Sequence, residues 1–230
     1  MHLFYDPHIV EGKAHTLSEE ESKHAVRVLR LQIGNELKVL DGKGGAYACS
    51  ITEAHPKRCT LAINERFQEV MPSYSIHIAV SPTKQMERME WFIEKATEIG
   101  ITEITFLRCS NSERVQLKPE RLEKKAISAM KQSQRLFLPK INGLVDFSSF
   151  LQENSFGLLA HCSDGQKNPI ASVFKANNCP ILIGPEGDFS AEELQAALDR
   201  GYKMITLGDN RLRTETAALY ATMQMKWLIG

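Results

Sequence analysis

The sequence predicts an α/β protein with a mainly parallel sheet, preceded by a smaller β-rich region. From residue 75 onward, strand-like runs alternate with helix-like runs, the order found in parallel sheets that helices cover on both faces. Before residue 72, short strand-like runs are joined by tight turns. Two glycine-bearing turns near the C-terminus each follow a strand-like run and precede a helix-like run. In α/β proteins such turns often surround a ligand.

The composition is that of an ordinary globular protein. Of 230 residues, 43% are hydrophobic, and 28 basic residues balance 28 acidic ones. This balance excludes a polycation but not a local basic face. The five cysteines lack zinc-site spacing, and their odd number argues against a disulfide framework. With no leader peptide and no apolar run near 18 residues, the sequence predicts a cytoplasmic protein without a metal or membrane partner.

Residues 1–71 are predicted to form one domain, a small and mostly antiparallel barrel or sheet. A helix is expected over residues 18–31, because Ser18 and Glu21 have capping-box spacing. Strands are expected over residues 1–5, 36–40, 46–52 and 59–63, with turns at 41–45 and 55–57. Pro72 and Ser73 mark the boundary.

Residues 72–230 are predicted to form the α/β domain. Helices are expected over residues 85–99, ending at Gly100, and over 119–136, ending before Pro139. Two more begin near Ser190, which has capping-box spacing with Glu193, and near Thr214. The expected strands cover residues 75–80, 102–107, 156–161, 180–183 and 204–207.

The segment 108–140 is locally basic. It holds nine basic and three acidic residues, a local net charge of +6. A basic helix between basic loops is a candidate polyphosphate-binding surface, and a solvated helix face explains the same charges. Gln132, Ser133 and Gln134 add hydrogen-bonding groups beside Arg135 and favour the functional interpretation slightly.

The first glycine turn, residues 183–190, is neither a Walker loop nor the Gly-x-Gly-x-x-Gly fingerprint. A ligand here would therefore be held chiefly by backbone groups. Gly184 and Gly187 would allow positive φ or close approach to the main chain, and Pro185 would stiffen the turn. A tight strand-to-helix turn without a ligand remains the alternative.

The second turn, residues 207–217, adds two arginines. Thr214 could cap a helix while Arg211 and Arg213 are ordinary surface groups. Alternatively, one arginine faces an anionic substrate, because the guanidinium fork recognises phosphates and oxyanions well. The residues alone leave both interpretations open.

These two turns, Ile-Gly-Pro-Glu-Gly-Asp-Phe-Ser at 183–190 and Leu-Gly-Asp-Asn-Arg-Leu-Arg-Thr-Glu-Thr-Ala at 207–217, closely resemble the RsmE family. Its members are uridine N3-methyltransferases of small-subunit ribosomal RNA within the SPOUT class. Residues 24–30, 94–100 and the Gln132, Ser133, Arg135 and Pro139 positions are also similar to family motifs. The resemblance covers essentially the whole chain. Asp188 stands where the family often has a second glycine, and Asp tolerates unusual backbone angles better than most residues.

The resemblance implies a PUA-like RNA-binding domain over residues 1–71 and a SPOUT methyltransferase domain with a C-terminal trefoil knot over residues 72–230. It also implies S-adenosylmethionine as methyl donor and ribosomal RNA or the small ribosomal subunit as substrate. The chain would form a homodimer with the site near the subunit interface. The implied donor-binding residues are Leu159, Ala160, His161, Ile183, Gly184, Pro185, Glu186, Gly187, Leu207, Gly208, Leu212, Thr214 and Ala217. The implied RNA-binding residues are His24, Arg27, Arg30, Arg121, Lys125, Gln132 and Arg135.

Arg213 is the predicted catalytic residue, because uridine N3 must lose its proton and the negative charge then spreads onto the flanking carbonyl oxygens. His161 and Glu186 are candidate bases by position, and a structural role explains either equally. For His24 and Arg30, helix packing and surface charge are the alternative. Two rival functions remain at this point: a non-catalytic RNA-binding protein with the same fold, and a SPOUT enzyme that methylates another RNA position.

Overall fold

The computed structural model describes residues 2–12, 14–162, 166–174 and 179–229. The chain forms two compact units. The first comprises Met1–Pro72 together with Met130–Leu138, and the second comprises Ser73–Ala129 and Pro139–Gly230. Nothing in the sequence signalled that a nine-residue segment far along the chain packs with the N-terminal unit.

The first unit is built on a five-stranded sheet. Its strands are β1 (His2–Tyr5), β2 (Ala14–Thr16), β3 (Glu36–Leu40), β4 (Gly45–Glu53) and β5 (Thr60–Gln68). They lie in the order β1-β3-β4-β5-β2, and each adjacent pair is antiparallel except β1 with β3. This confirms the mostly antiparallel sheet. Alternate apolar residues such as Leu37, Val39 and Ile51 face its buried core.

A short helix and a π-helical turn follow β2. The helix α1 covers Glu19–Lys23, and the π-helical turn covers His24–Val28. Ser18 caps α1 as predicted, because its hydroxyl accepts a hydrogen bond from the backbone N of Glu21 at 3.2 Å. The chain then reverses at Arg30, whose φ is 55°. The helix therefore ends earlier than the predicted residue 31.

The predicted capping box at Ser18 forms only in part. The carboxylate of Glu21 accepts from the backbone N of Tyr5 at 3.2 Å and from Nζ of Lys131 at 2.9 Å. The Glu21 side chain, which the local spacing predicted would cap the helix N-terminus, therefore binds Lys131, 110 residues away in sequence.

The segment Met130–Leu138 is attached to the first unit mainly by backbone hydrogen bonds. Gly44 N donates to Leu136 O, and Leu138 N donates to Gly42 O, both at 2.9 Å. The helix before it, α3, covers Pro119–Gln132, four residues short of the prediction. It ends there because Gln134 adopts a left-handed φ of 56° and Arg135 N donates to Met130 O.

The second unit holds a seven-stranded sheet in which every pair of neighbouring strands is parallel, as predicted. The strand order is β10-β12-β9-β11-β6-β7-β8. The strands are β6 (His77–Val80), β7 (Glu103–Arg108), β8 (Lys140–Asp146), β9 (Leu158–Ala160), β10 (Asn168–Pro169), β11 (Ile181–Ile183) and β12 (Lys203–Thr206). The remaining helices are α2 (Met86–Ile99), α4 (Phe147–Glu153), α5 (Ile170–Val173), α6 (Ala191–Asp199) and α7 (Thr214–Ile229).

Helix termini in this unit follow local sequence signals closely. Gly100 ends α2 in the left-handed conformation, with φ 105°. Ser190 and Glu193 form the predicted capping box at α6, with hydrogen bonds of 3.2 and 2.9 Å. Among the described residues, none of the helices is both long and apolar enough to cross a membrane.

The strand order positions the candidate site. Strands β12, β9 and β11 are neighbours and run in the same direction. Their carboxyl ends therefore meet at one edge of the sheet, where the chain leaves Ala160, Ile183 and Thr206. Both glycine turns start at this edge.

Candidate functional site

The loops after β9, β11 and β12 line an open cavity of about 640 Å³. This volume lies within the range of small-molecule sites. Eleven of the thirteen predicted donor-binding residues line it, and so does the predicted catalytic residue Arg213; the eleven are Ala160, His161, Ile183, Gly184, Pro185, Glu186, Leu207, Gly208, Leu212, Thr214 and Ala217. Arg211, one of the two arginines considered for an anionic substrate, also lines the cavity, and six lining residues were not predicted: Cys162, Lys167, Asp188, Thr206, Asp209 and Asn210.

The two predicted donor-binding residues that do not line the cavity are the buried Leu159 and the exposed Gly187. Leu159 is fully buried in the core cluster that includes Ala79 and Leu182. Gly187 is pressed against Asn111, since a Cβ atom added to the glycine would come within 3.2 Å of Asn111 Cβ. The Asn111 amide donates to the carbonyl oxygens of both Gly187 and Asp188 at 3.1 Å. A side chain at position 187 would therefore crowd Asn111.

The first turn obtains its left-handed residue from Asp188, not from a glycine. Asp188 has φ 62°, whereas Gly184 and Gly187 do not have positive φ, so that part of the prediction is wrong. At Gly184, an added Cβ would lie 3.1 Å from the ring of Phe189. The expected tolerance of aspartate for this backbone conformation is confirmed.

A buried hydrogen bond joins the two glycine turns. The hydroxyl of Thr214 donates to the carbonyl oxygen of Gly184 at 3.2 Å. Thr214 is the first residue of α7 and is 5% exposed, so the interpretation of this residue as a helix cap is wrong. In the second turn, Gly208 has φ 114°, and its N donates to the hydroxyl of Thr206. The turns form one connected wall.

Two cationic side chains stand free at the cavity. Arg211 and Arg213 are both exposed and line it. Within the described part of the chain, neither guanidinium makes a hydrogen bond or an ion pair. The backbone of Arg213 is held, because its carbonyl oxygen accepts from Ala217 N at 2.8 Å. A free guanidinium on a held backbone suits binding of an anionic group.

The two candidate bases differ in their surroundings. Burial, and secondarily the charge of Lys167, lowers the pKa of His161, while Asp188 opposes the shift. His161 is therefore neutral at neutral pH. Its Nδ1 atom is buried and has no hydrogen-bond partner among the described residues. Glu186 is exposed, and its carboxylate accepts from the backbone N of Lys84 at 3.3 Å.

Much of the basic segment 108–140 is neutralised by carboxylates from outside it. On α3, Arg121 pairs with Glu90 and Lys125 pairs with Glu94, both on α2. Further pairs are Arg108 with Asp146, Lys131 with Glu21, and Lys140 with Glu103. The local charge of +6 therefore overstates the field at the surface, because the acidic partners are distant in sequence.

The other predicted RNA-binding residues belong to the first unit. The ring of His24 packs against that of Phe4, with ring centroids 5.7 Å apart, and its Nδ1 lies 3.5 Å from Glu21 Oε2. Arg27 and Arg30 are exposed. Gln132 and Arg135 join this unit through the segment Met130–Leu138. Arg121 and Lys125, in contrast, belong to the second unit.

No group of three or more His, Cys, Asp or Glu side chains among the described residues could hold a metal ion. The groups available at the cavity include backbone N–H and C=O groups, the unpaired guanidinium groups of Arg211 and Arg213, the ammonium of Lys167, a neutral histidine, the thiol of Cys162 and three carboxylates.

Two known families match this chain. The family described as RNA methyltransferase domain matches residues 70–226, and the family described as RNA methyltransferase PUA domain matches residues 17–64. A ribosomal RNA small subunit methyltransferase E from Aquifex aeolicus is 30% identical over 95% of this chain and 96% of its own length. The Rickettsia conorii protein of the same name is 28% identical over 98% and 95%.

Solved structures agree with these relatives. A probable rRNA-methyltransferase from Porphyromonas gingivalis superimposes with a TM-score of 0.90 and 37% identity, covering 99% of this chain and 98% of that one. A ribosomal RNA small subunit methyltransferase E from Neisseria gonorrhoeae, bound to S-adenosyl methionine, has a TM-score of 0.85 and 26% identity, covering 99% and 98%.

Proposed function

This chain belongs to the ribosomal RNA small subunit methyltransferase E family, and we propose that it transfers a methyl group from S-adenosylmethionine to N3 of a specific uridine in small-subunit ribosomal RNA. One observation carries the proposal. Two glycine turns, joined by the Thr214–Gly184 hydrogen bond, line a cavity at the carboxyl edge of a parallel sheet. The guanidinium of Arg213 lies unpaired at this cavity.

The residues of this cavity fit the donor. The cavity of about 640 Å³ is large enough for a nucleoside with an amino-acid tail. The buried and unpartnered Nδ1 of His161 offers one polar contact. A side chain at Gly184 would disturb the wall through Phe189. We propose that the loops starting at Ala160, Ile183 and Thr206 hold the donor, largely through backbone groups.

When bound, the donor supplies a methyl group already activated by a positively charged sulfur. The protein therefore has mainly to align the donor and the base. Uridine N3 is nucleophilic only after it loses its proton, and the resulting charge spreads onto the two flanking carbonyl oxygens. We assign Arg213 to stabilise that charge, because its guanidinium is unpaired and its backbone is fixed at the start of α7.

For the RNA, we propose that residues 1–71 act as a PUA-like RNA-binding domain and residues 72–230 as the methyltransferase domain. His24, Arg27 and Arg30 would contact the RNA, helped by Gln132 and Arg135, whose segment packs with the same unit. Arg121 and Lys125 would contribute less, because α2 carboxylates already neutralise them.

We further propose a cytoplasmic homodimer in which α7 contributes to the interface. Tyr220, Met223 and Trp227 recur at helical spacing on one face of α7 and are 42%, 52% and 86% exposed. Large apolar side chains grouped in this way favour burial against a partner. The trefoil knot stays a prediction. The strand order supports it, because β9 lies between β11 and β12 in the sheet, so the connection from β11 to β12 has to cross β9.

Two measurements test the proposed function. Nucleosides from ribosomal RNA of cells with and without the protein are separated and identified, and we expect 3-methyluridine only where the protein is present. An unchanged 3-methyluridine content, or the loss of another methylated nucleoside, would contradict the proposal. Calorimetry with purified protein should detect S-adenosylmethionine binding, which a purely RNA-binding protein has no reason to show.

A further inference from the structure

The carboxylate of Asp188 links two of the loops that line the cavity. Its Oδ2 accepts a hydrogen bond from the backbone N of Cys162 at 2.7 Å, across 26 residues of sequence. Its Oδ1 accepts from the backbone N of the next residue, Phe189, at 2.9 Å. Cys162 follows β9, whereas Asp188 follows β11, so the bond spans two separate connections of the sheet.

The backbone of Asp188 is equally constrained. Its φ of 62° is left-handed, a conformation that costs most side chains energy and that Asn, Asp and Gly tolerate. From the other side, the Asn111 amide holds the carbonyl oxygens of Gly187 and Asp188. The loops after β7, β9 and β11 therefore meet at one residue.

We propose that Asp188 is a positioning residue that sets the place of the His161–Cys162 loop and thereby the affinity of the cavity for the methyl donor. This inference rests on the proposed donor-binding function. A glycine at position 188 would satisfy the same backbone conformation but would leave the N–H of Cys162 without its acceptor. Donor binding would then have to order the loop as well, which lowers affinity.

Two substitutions distinguish the effect of the Asp188–Cys162 hydrogen bond from the effect of the negative charge of Asp188. Asp188→Asn and Asp188→Gly both remove the charge and both tolerate positive φ. The asparagine keeps one acceptor oxygen, whereas the glycine keeps none. A bond-based role predicts a graded series from wild type through Asn to Gly, and a purely electrostatic role predicts that the two variants behave alike.

The first readout needs neither donor nor activity. Cys162 is exposed, whereas Cys49, Cys59, Cys109 and Cys179 are buried. Iodoacetamide labelling, followed by mass spectrometry, therefore reports the freedom of the loop at Cys162. We expect labelling to be about tenfold faster in Asp188→Gly and about two- to threefold faster in Asp188→Asn, as a hydrogen bond to a charged group implies. Hydrogen exchange of the Cys162 amide should follow the same order.

The second readout is the donor itself. For Asp188→Gly, we expect the Kd and KM for S-adenosylmethionine to rise about tenfold. Asp188 itself lines the cavity, so the Kd and KM for the donor, and not kcat, are the parameters to compare between the Asn and Gly variants. A general loss of stability would lower the apparent kcat through a smaller folded fraction and would leave the Kd and KM for the donor unchanged.

The outcomes are distinguishable. If wild type does not bind the donor, the proposed function fails, and labelling of Cys162 still decides whether Asp188 holds the loop. If labelling is the same in all three proteins, or if both variants bind the donor as wild type does, the role assigned to Asp188 is wrong. Equal effects of the Asn and Gly variants would assign the effect to charge and would also overturn it.

Discussion

The two glycine turns look alike in sequence but are built in different ways. The first is supported from behind by other side chains: Phe189 lies over Gly184, Asn111 holds Gly187, and the carboxylate of Asp188 reaches the neighbouring loop. The second presents side chains outward, because Arg211 and Arg213 are exposed at the cavity. The first turn therefore has the properties of a scaffold, and the second has those of a surface that meets a substrate. Changes in the first should affect donor affinity and stability, and changes at the outward-facing arginines of the second should affect rate.

The largest expected effect is at Arg213. Arg213→Ala should lower the single-turnover methylation rate about 100-fold at saturating donor and RNA, since loss of one donor to a developing oxyanion costs about that much. The Kd for the donor should change less than about threefold. Arg211→Ala is the matched control, with the same charge change at the same cavity and an expected loss below about fivefold. Wild-type rates in Arg213→Ala would remove the arginine from the mechanism.

The scaffold role of the first turn is tested at Gly184. Gly184→Ala should lower the free energy of unfolding by about 1–3 kcal/mol, because the new methyl group must displace the ring of Phe189. Urea unfolding measures the change, and donor affinity should fall with it. Gly143→Ala is the control, since a Cβ atom there meets nothing within 4 Å and φ is not positive. If both substitutions have the same effect, Gly184 is not packed as described.

The connection between the turns is tested at Thr214. Thr214→Val keeps the shape and removes the hydroxyl that donates to Gly184 O, which should destabilise the fold by about 1 kcal/mol. We expect donor affinity to fall about fivefold, because the two walls are no longer joined. In the control Thr222→Val, the lost hydroxyl donates to Ala218 O within α7 itself. An equal loss of donor affinity in the control would mean that the inter-turn bond has no special role.

The smallest expected effect concerns pH. Burial lowers the pKa of His161 below its ordinary value, so the unfolded chain binds more protons than the folded one in this window. The stabilising contribution is complete above the ordinary value of about 6.5 and is lost as pH falls through the lowered one. His161→Gln should therefore flatten the decrease in unfolding free energy between pH 7.5 and 5.5, measured by urea titration. The same slope in the variant would contradict the assignment.

The buried His77 provides the comparison for that measurement. Burial also lowers its pKa, and its Nε2 lies 2.8 Å from Thr105 Oγ1. His77 lines no part of the cavity. His77→Gln should therefore flatten the pH dependence of stability without changing the pH dependence of donor binding, whereas His161→Gln should change both.

Local signals in the sequence were reliable where the partner is also local. Gly100 ends α2 as predicted, and Ser190 pairs with Glu193, because these interactions involve residues only a few positions apart. The parallel sheet followed from the alternation of strand-like and helix-like runs. The strand β8 and the helix α4 were not predicted. β8 is an edge strand whose residues are exposed or only partly buried, and it contains a glycine, so it lacks a clear apolar pattern.

The sequence by itself determined the α/β class, the two glycine turns and the family resemblance, because these depend on residue types at short spacing. Only the tertiary structure decided what each turn does. Thr214 is hydrogen-bonded to Gly184, 30 residues away, and Asp188 to Cys162, 26 residues away. The carboxylates that neutralise Arg121 and Lys125 come from another helix. These residues come into contact only because the sheet brings the ends of several strands together. Residue spacing along the chain does not show which strands become neighbours.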